Sequence, residues 1–167
     1  MTDDEPKKTK RPARVVRRRF EVASLSFVVP IAPKAWARPR FGIDGRGYTP
    51  RDVEEHREAI RWKGLEARAN WERAHRKPWP RLPDHEYLIA VRAFRQARRG
   101  DCDNFAKQVD DALNGTLFAD DRQIWRGECE RVDVCDEEWT GEPRYEITMR
   151  AFEVLEFKVS TKKDGTK

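Results

Sequence analysis

Cysteine is scarce in this 167-residue chain: Cys102, Cys129 and Cys135 are the only three, and none stands in C-x-x-C spacing. That leaves no zinc-ribbon pattern and predicts buried or inert thiols. Histidine is equally sparse. His56, His75 and His85 sit among surface charges without the spacing of a metal set or a catalytic triad. No apolar run approaches the length of a membrane span, and the first residues lack the apolar segment of a secretory signal. A cytoplasmic protein with no membrane partner is expected. No Gly-rich loop offers a phosphate cradle. Hydrophobic residues make up only 38% against 39% charged, so the core is small relative to its surface, and the length suits one domain.

Charge is what the chain has in plenty, and it is segregated. Residues 1 to 20 carry eight Lys/Arg and three Asp/Glu, which accounts for the whole net charge of +5. This opening segment is polar and contains two prolines; it is expected as a disordered basic arm. The remainder is balanced overall but patched. Basic residues gather at Lys34, Arg38, Arg40, Arg46 and Arg51, and again at Arg92, Arg95, Arg98 and Arg99. The second group adjoins the most acidic stretch, a pattern that suits a polyanion held against an anionic, cation-filled centre.

That stretch is RRGDCDNFAKQVDDALNGTLFADDRQ, residues 98 to 123, with six aspartates and one lysine around a short helix. Phe105, Val109, Ala112 and Leu113 recur at the spacing of a buried stripe. The opposite stripe is Asp103, Lys107, Asp111 and Asn114. Asp103 or Asn104 is the expected N-cap, and Asn114-Gly115 the stop. Asp at a helix start and an i,i+4 Asp/Lys pair are ordinary surface chemistry. The acidic pairs at both ends are not: Asp101 and Asp103 flank Cys102, and Asp120-Asp121 follows a Gly turn. Two carboxylates at 4 Å repel by about 4 kcal/mol at an effective dielectric near 20. The arrangement fits either a solvated acidic face or a site for a hard divalent cation, Mg2+ or Mn2+, and the paired ends favour the second.

These motifs resemble the RusA-type Holliday junction resolvases, small endonucleases often carried by phages and prophages. The resemblance lies in G-D-C-D-N-F-x-K from Gly100 to Lys107, D-A-L-N-G from Asp111 to Gly115, and D-D-R-Q from Asp120 to Gln123. It extends to PKAWARPRF from Pro33 to Phe41 and to Tyr48-Thr49-Pro50, covering roughly residues 22 to 155. It implies metal-binding or catalytic roles for Asp101, Asp103 and Asp121 and a catalytic role for Lys107. Asp111 and Asp120 match acidic positions that can join the metal set. It also implies a homodimer that resolves four-way DNA junctions by paired nicks, with Mg2+. The DNA-binding candidates are Lys34, Arg38, Arg40, Arg98, Arg99 and Arg122. The alternatives are a nuclease for flaps or other branched DNA, and a phage DNA-binding protein that does not cut.

Elsewhere, a strand is predicted from Phe20, with Ala23, Leu25, Phe27 and Val29 on one face, stopped by Pro30. The loop from Pro30 to Pro50, with Trp36 and several arginines, reads as a DNA-contacting arm. Trp36 or Trp125 is placed to stack on an exposed base. A helix is expected from Arg51 or Asp52 to Ala74 and a central strand from Glu86 to Arg95. Two further strands, Ile124 to Val134 and Arg144 to Val154, are expected as an antiparallel pair, with a polar tail from residue 157. The fold class is therefore α+β: a mixed sheet of about four strands with two main helices in a nuclease domain over residues 21 to 156.

Overall fold

The computed structural model describes residues 14–35, 40–41, 45–81, 83–96, 100–139 and 141–159. A long first strand, β1 (Arg14–Val29), leads through a small ribbon of β2 (Arg40–Phe41) and β3 (Gly47–Tyr48) to helix α1 (Arg51–His75). Then come β4 (His85–Arg95), α2 (Cys102–Leu113), a 3-10 turn at Asp121–Gln123, β5 (Ile124–Asp133) and β6 (Arg144–Val159). The main sheet has the order β1-β6-β4-β5, with β4–β5 parallel and the other neighbours antiparallel. Two helices and a mixed four-stranded sheet match the expected α+β class.

The expected hairpin of the last two strands does not form. β6 lies between β1 and β4, while β5 pairs with the far side of β4. Composition explains the choice. β6 buries Tyr145, Ile147, Met149 and Ala151 along one face, which suits an interior place. β5 reads Ile-Trp-Arg-Gly-Glu-Cys-Glu-Arg, and charged residues and glycine suit an edge. A parallel β4–β5 pair needs a crossover, and α2 supplies it.

Both outer strands are longer than expected. β1 begins at Arg14, so residues 14 to 20 belong to the sheet rather than to a disordered arm, and residues 1 to 13 lie outside the described residues. Arg17 pairs with Glu156 at 2.9 Å and Arg18 lies over the Phe157 ring, cross-strand contacts that composition does not reveal. β6 likewise runs to Val159, into the expected tail, and residues 160 to 167 lie outside the described set.

Helices α1 and α2 cover one face of the sheet. Ile60 and Trp71 of α1, with Phe105, Val109, Ala112 and Leu113 of α2, pack onto Leu25, Ile89, Val91, Ile147 and Met149. Gly64 lets the helices meet, because a Cβ there would stand 2.7 Å from Leu113 Cδ2. Arginines of α1 hold the end of α2: Arg61 Nε donates to Ala112 O at 3.3 Å, and Arg68 Nη1 to Thr116 O at 3.2 Å. Positive charge at a helix C-terminus complements its dipole. Tyr145 fastens the start of the long loop, its hydroxyl accepting from Lys34 N at 2.9 Å. Burial pushes that hydroxyl's pKa up.

Candidate active site

The site begins where β4 runs into α2. Arg95 is buried, donates to Asp133 at 2.8 Å, and reaches Gly100 O at 3.1 Å. Arg92 lies among Glu130, Glu138 and Glu146. Both arginines thus hold the protein to itself, contrary to their expected place among the phosphate grips. Arg38, Arg98, Arg99 and Trp36 lie outside the described residues, as does the Arg40 side chain.

Gly100 adopts φ +100°, and a Cβ on it would meet Phe105 Cζ at 2.9 Å and Ala35 Cβ at 3.2 Å. Gly100→Ala is therefore expected to lower stability by about 1–3 kcal/mol, read as an earlier urea midpoint at unchanged slope.

The N-cap of α2 is Asp101, two or three residues earlier than predicted. Its backbone oxygen accepts from Asn104 N and Phe105 N at 3.1 and 3.3 Å, but its carboxylate makes no capping bond. Cys102 follows, in a disulfide with Cys129 of β5, their Cα atoms 5.6 Å apart. The expectation of inert thiols fails for this pair, since partners on separate elements leave no sequence motif. Along the helix, Asp103 and Lys107 are exposed, Asp110 is half-buried, and Asp111 accepts from Arg57 Nη2 at 2.7 Å.

After Gly115, the D-D-R-Q segment divides its labour. Asp120 Oδ1 accepts from Arg122 N at 2.9 Å, and Gln123 Oε1 accepts from Asp120 N at 3.0 Å, closing a capping box. Gln123 Nε2 also donates to His85 O at 3.1 Å, tying the turn to β4. The Arg122 amide, then the Asp121 side chain, hold Asp120 below the usual carboxylate range. Asp120 thus shapes the turn.

A cleft of about 600 Å³ runs between α2 and β5. Asp103, Lys107, Asp110, Asp111, Asp121 and Glu128 line it, with Arg122 also on its wall. Asp101 and Asp120, both expected in the metal set, do not line it. Asp103 stands in the first turn and Asp110 and Asp111 in the last, about 10–12 Å apart along the axis. Among the described residues, no three His, Cys, Asp or Glu side chains are grouped closely enough to hold a metal ion. The donor chemistry still fits one: burial, then the charges of Asp111 and Asp121, push the Asp110 carboxyl up to about 6. Carboxylates that resist ionising together are what a divalent cation relieves.

Asp110 and Glu128 were missing from the predicted set. Asp110 was visible as an acid seven positions after Asp103 on the same helical face, but its burial was not; Glu128 gave no local signal. Among the predicted DNA contacts, Arg122 is 90% exposed along its side chain and pairs with Asp120 at 3.8 Å, whereas Lys34 is ion-paired with Asp52. Trp125 carries Arg19 over its ring at 4.3 Å.

No curated protein matches the chain significantly. Residues 30–150, well over half of it, match the family described as endodeoxyribonuclease RusA. The matched span takes in both helices, the D-D-R-Q turn and every acid lining the cleft, and by this match the chain belongs to the RusA endodeoxyribonuclease family.

Proposed function

We propose that the cleft cuts the backbone of four-way DNA junctions in a Mg2+-dependent reaction, with Mn2+ able to substitute. The observation that carries this reading is one wall bearing Asp103, Lys107, Asp110 and Asp111, with Asp121 joining it from the following turn. Asp103 and Asp121 would hold the cation, with Asp111 at the far end of the same helix and Asp101 at its head, outside the lining. A divalent ion bound there supplies charge neutralisation and makes a water more acidic at neutral pH.

The chain's own groups do the rest. Arg57 fixes the Asp111 carboxylate through its 2.7 Å bond. Lys107 lines the cleft, where its ammonium would stabilise negative charge developing on the scissile phosphate or the leaving 3′ oxygen. Arg122, highly exposed on the same wall, grips a neighbouring phosphate. Cleavage leaves a 5′-phosphate and a 3′-hydroxyl. Two matched nicks need two such sites, which a homodimer provides with two-fold symmetry.

A labelled four-way junction, a flap and a linear duplex, each with MgCl2 or EDTA, test this directly. Symmetric nicks in the junction, only with MgCl2, are the expected result; equal cutting of linear duplex would overturn it. Lys107→Ala is expected to slow junction cleavage by about 100-fold or more with binding kept within a few-fold.

A further inference from the structure

The disulfide lies at the wall of the cleft and touches its acids through the backbone. Cys102 is the first residue of α2, directly between Asp101 and Asp103; Cys129 stands midway along β5 and lines the cleft beside Glu128. The first turn of a helix is ordinarily held by a capping side chain, and an Asp at the N-cap is a favoured one. Here the Asp101 carboxylate makes no such bond. The turn is instead anchored from the next residue, by a covalent link to the opposite wall. The far end of α2 needs no such link, since Arg61 and Arg68 hold it and Val109, Ala112 and Leu113 are fully buried.

We propose that Cys102–Cys129 is a redox-sensitive positioning staple, which sets how tightly the cleft holds its divalent cation by fixing the first turn of α2 against β5. This rests on the reading of the cleft as a metal site. Closed, the link keeps Asp103 in register with the Asp121 carboxylate contributed from the D-D-R-Q turn. Opened, it frees that turn to move about Gly100, whose positive φ already marks a bend there.

The chemistry is thiol–disulfide exchange with a low-molecular-weight disulfide. One cysteine thiolate attacks the small disulfide and expels a first small thiol; the second then attacks the mixed disulfide and expels another. The two cysteines together lose two electrons and two protons, and the small disulfide leaves as two thiols. Both cysteines are half-buried rather than sealed and Cys129 lines the cleft, so a small reagent can reach the pair.

The full chain, equilibrated with oxidised glutathione or with dithiothreitol, is titrated with MgCl2 by calorimetry, with thiols counted in parallel. One thiol per chain is expected in the oxidised form, from Cys135, and three in the reduced. Mg2+ affinity is expected to fall about tenfold on reduction and to return on reoxidation. The MgCl2 concentration for half-maximal junction cleavage rises in step, while the rate at saturating MgCl2 stays within about twofold. The melting temperature falls by about 10 °C on reduction, the scale of opening a link across 27 residues. The doubly substituted Cys102→Ser, Cys129→Ser chain should match the reduced protein and ignore dithiothreitol. Equal Mg2+ affinity in both forms, or three thiols that never close, overturns the staple alone. Absence of Mg2+ binding in either form, with the disulfide closed, overturns the metal site and the staple with it.

Discussion

Asp121→Asn is expected to reduce the rate of junction cleavage by about 1,000-fold while junction binding stays within a few-fold or tightens. The asymmetry follows from what the residue does and does not support. Asp120 and Gln123 hold the turn through the capping box and the bond to His85, and an amide at position 121 keeps a donor for its side-chain bond to Asp120, so the turn is preserved. It removes one negative oxygen donor from the cleft, and one repulsion against incoming phosphate. Single-turnover cleavage and gel-shift binding of one labelled junction separate the two effects. A variant that binds poorly and cuts at the wild-type rate per bound junction would take Asp121 out of the chemistry.

Asp110→Asn should stabilise the metal-free protein at pH 8 by about 2 kcal/mol and leave it almost unchanged at pH 4. An acid whose folded-state pKa is raised keeps its proton more tightly in the native than in the unfolded chain. The ionisation penalty is therefore small at pH 4 and vanishes well below 3.8, where both states are protonated. The cost grows as pH rises and is complete above about 6, the value reached by Asp110. Burial is the largest cause, and the neighbouring charges of Asp111 and Asp121 add to it. Urea denaturation of both proteins across pH 4 to 8, with EDTA, gives the difference directly. A difference that does not change with pH would mean that position 110 carries no shifted proton. MgCl2 should act like the substitution, raising wild-type stability more at pH 8 than at pH 5.

Much of this molecule is legible before any fold is known, and its two helices show why. The buried stripes of α1 and α2 are local patterns: spacing marks Val53, Ile60, Gly64, Ala67 and Trp71 in one helix and Phe105, Val109, Ala112 and Leu113 in the other, and the structure buries all of them but Ala67, which is partly covered. The alternation of Tyr145, Ile147, Met149 and Ala151 is equally local and equally well kept. Pairing is a different kind of information. Nothing within Ile124–Asp133 says whether its partner runs parallel or antiparallel, and adjacency in the chain favoured the wrong neighbour. Charge suffers from the same blindness. Arg92 and Arg95 read as a basic flank, but the carboxylates that neutralise them come from residues 35 or more positions away. The cysteine link across 27 residues is invisible for the same reason. At the cleft, residue types announced an acidic site, whereas which aspartate caps, which is buried and which faces the opening depended on tertiary placement.

The unequal strand lengths have a last consequence. β4 reaches only as far as the partner of Glu153 on β6, so residues 154 to 159 are bonded to residues 14 to 19 alone. Val15, Leu155 and Phe157 are 50%, 40% and 42% exposed along this ribbon, far from the coverage given to the interior of the sheet. An isolated two-stranded ribbon is marginal in water. The free energy of opening is therefore graded along β1 and β6: their outer ends can fray in sub-global excursions that leave the helices and the cleft closed, while Leu25 and Met149 separate only when the whole domain unfolds.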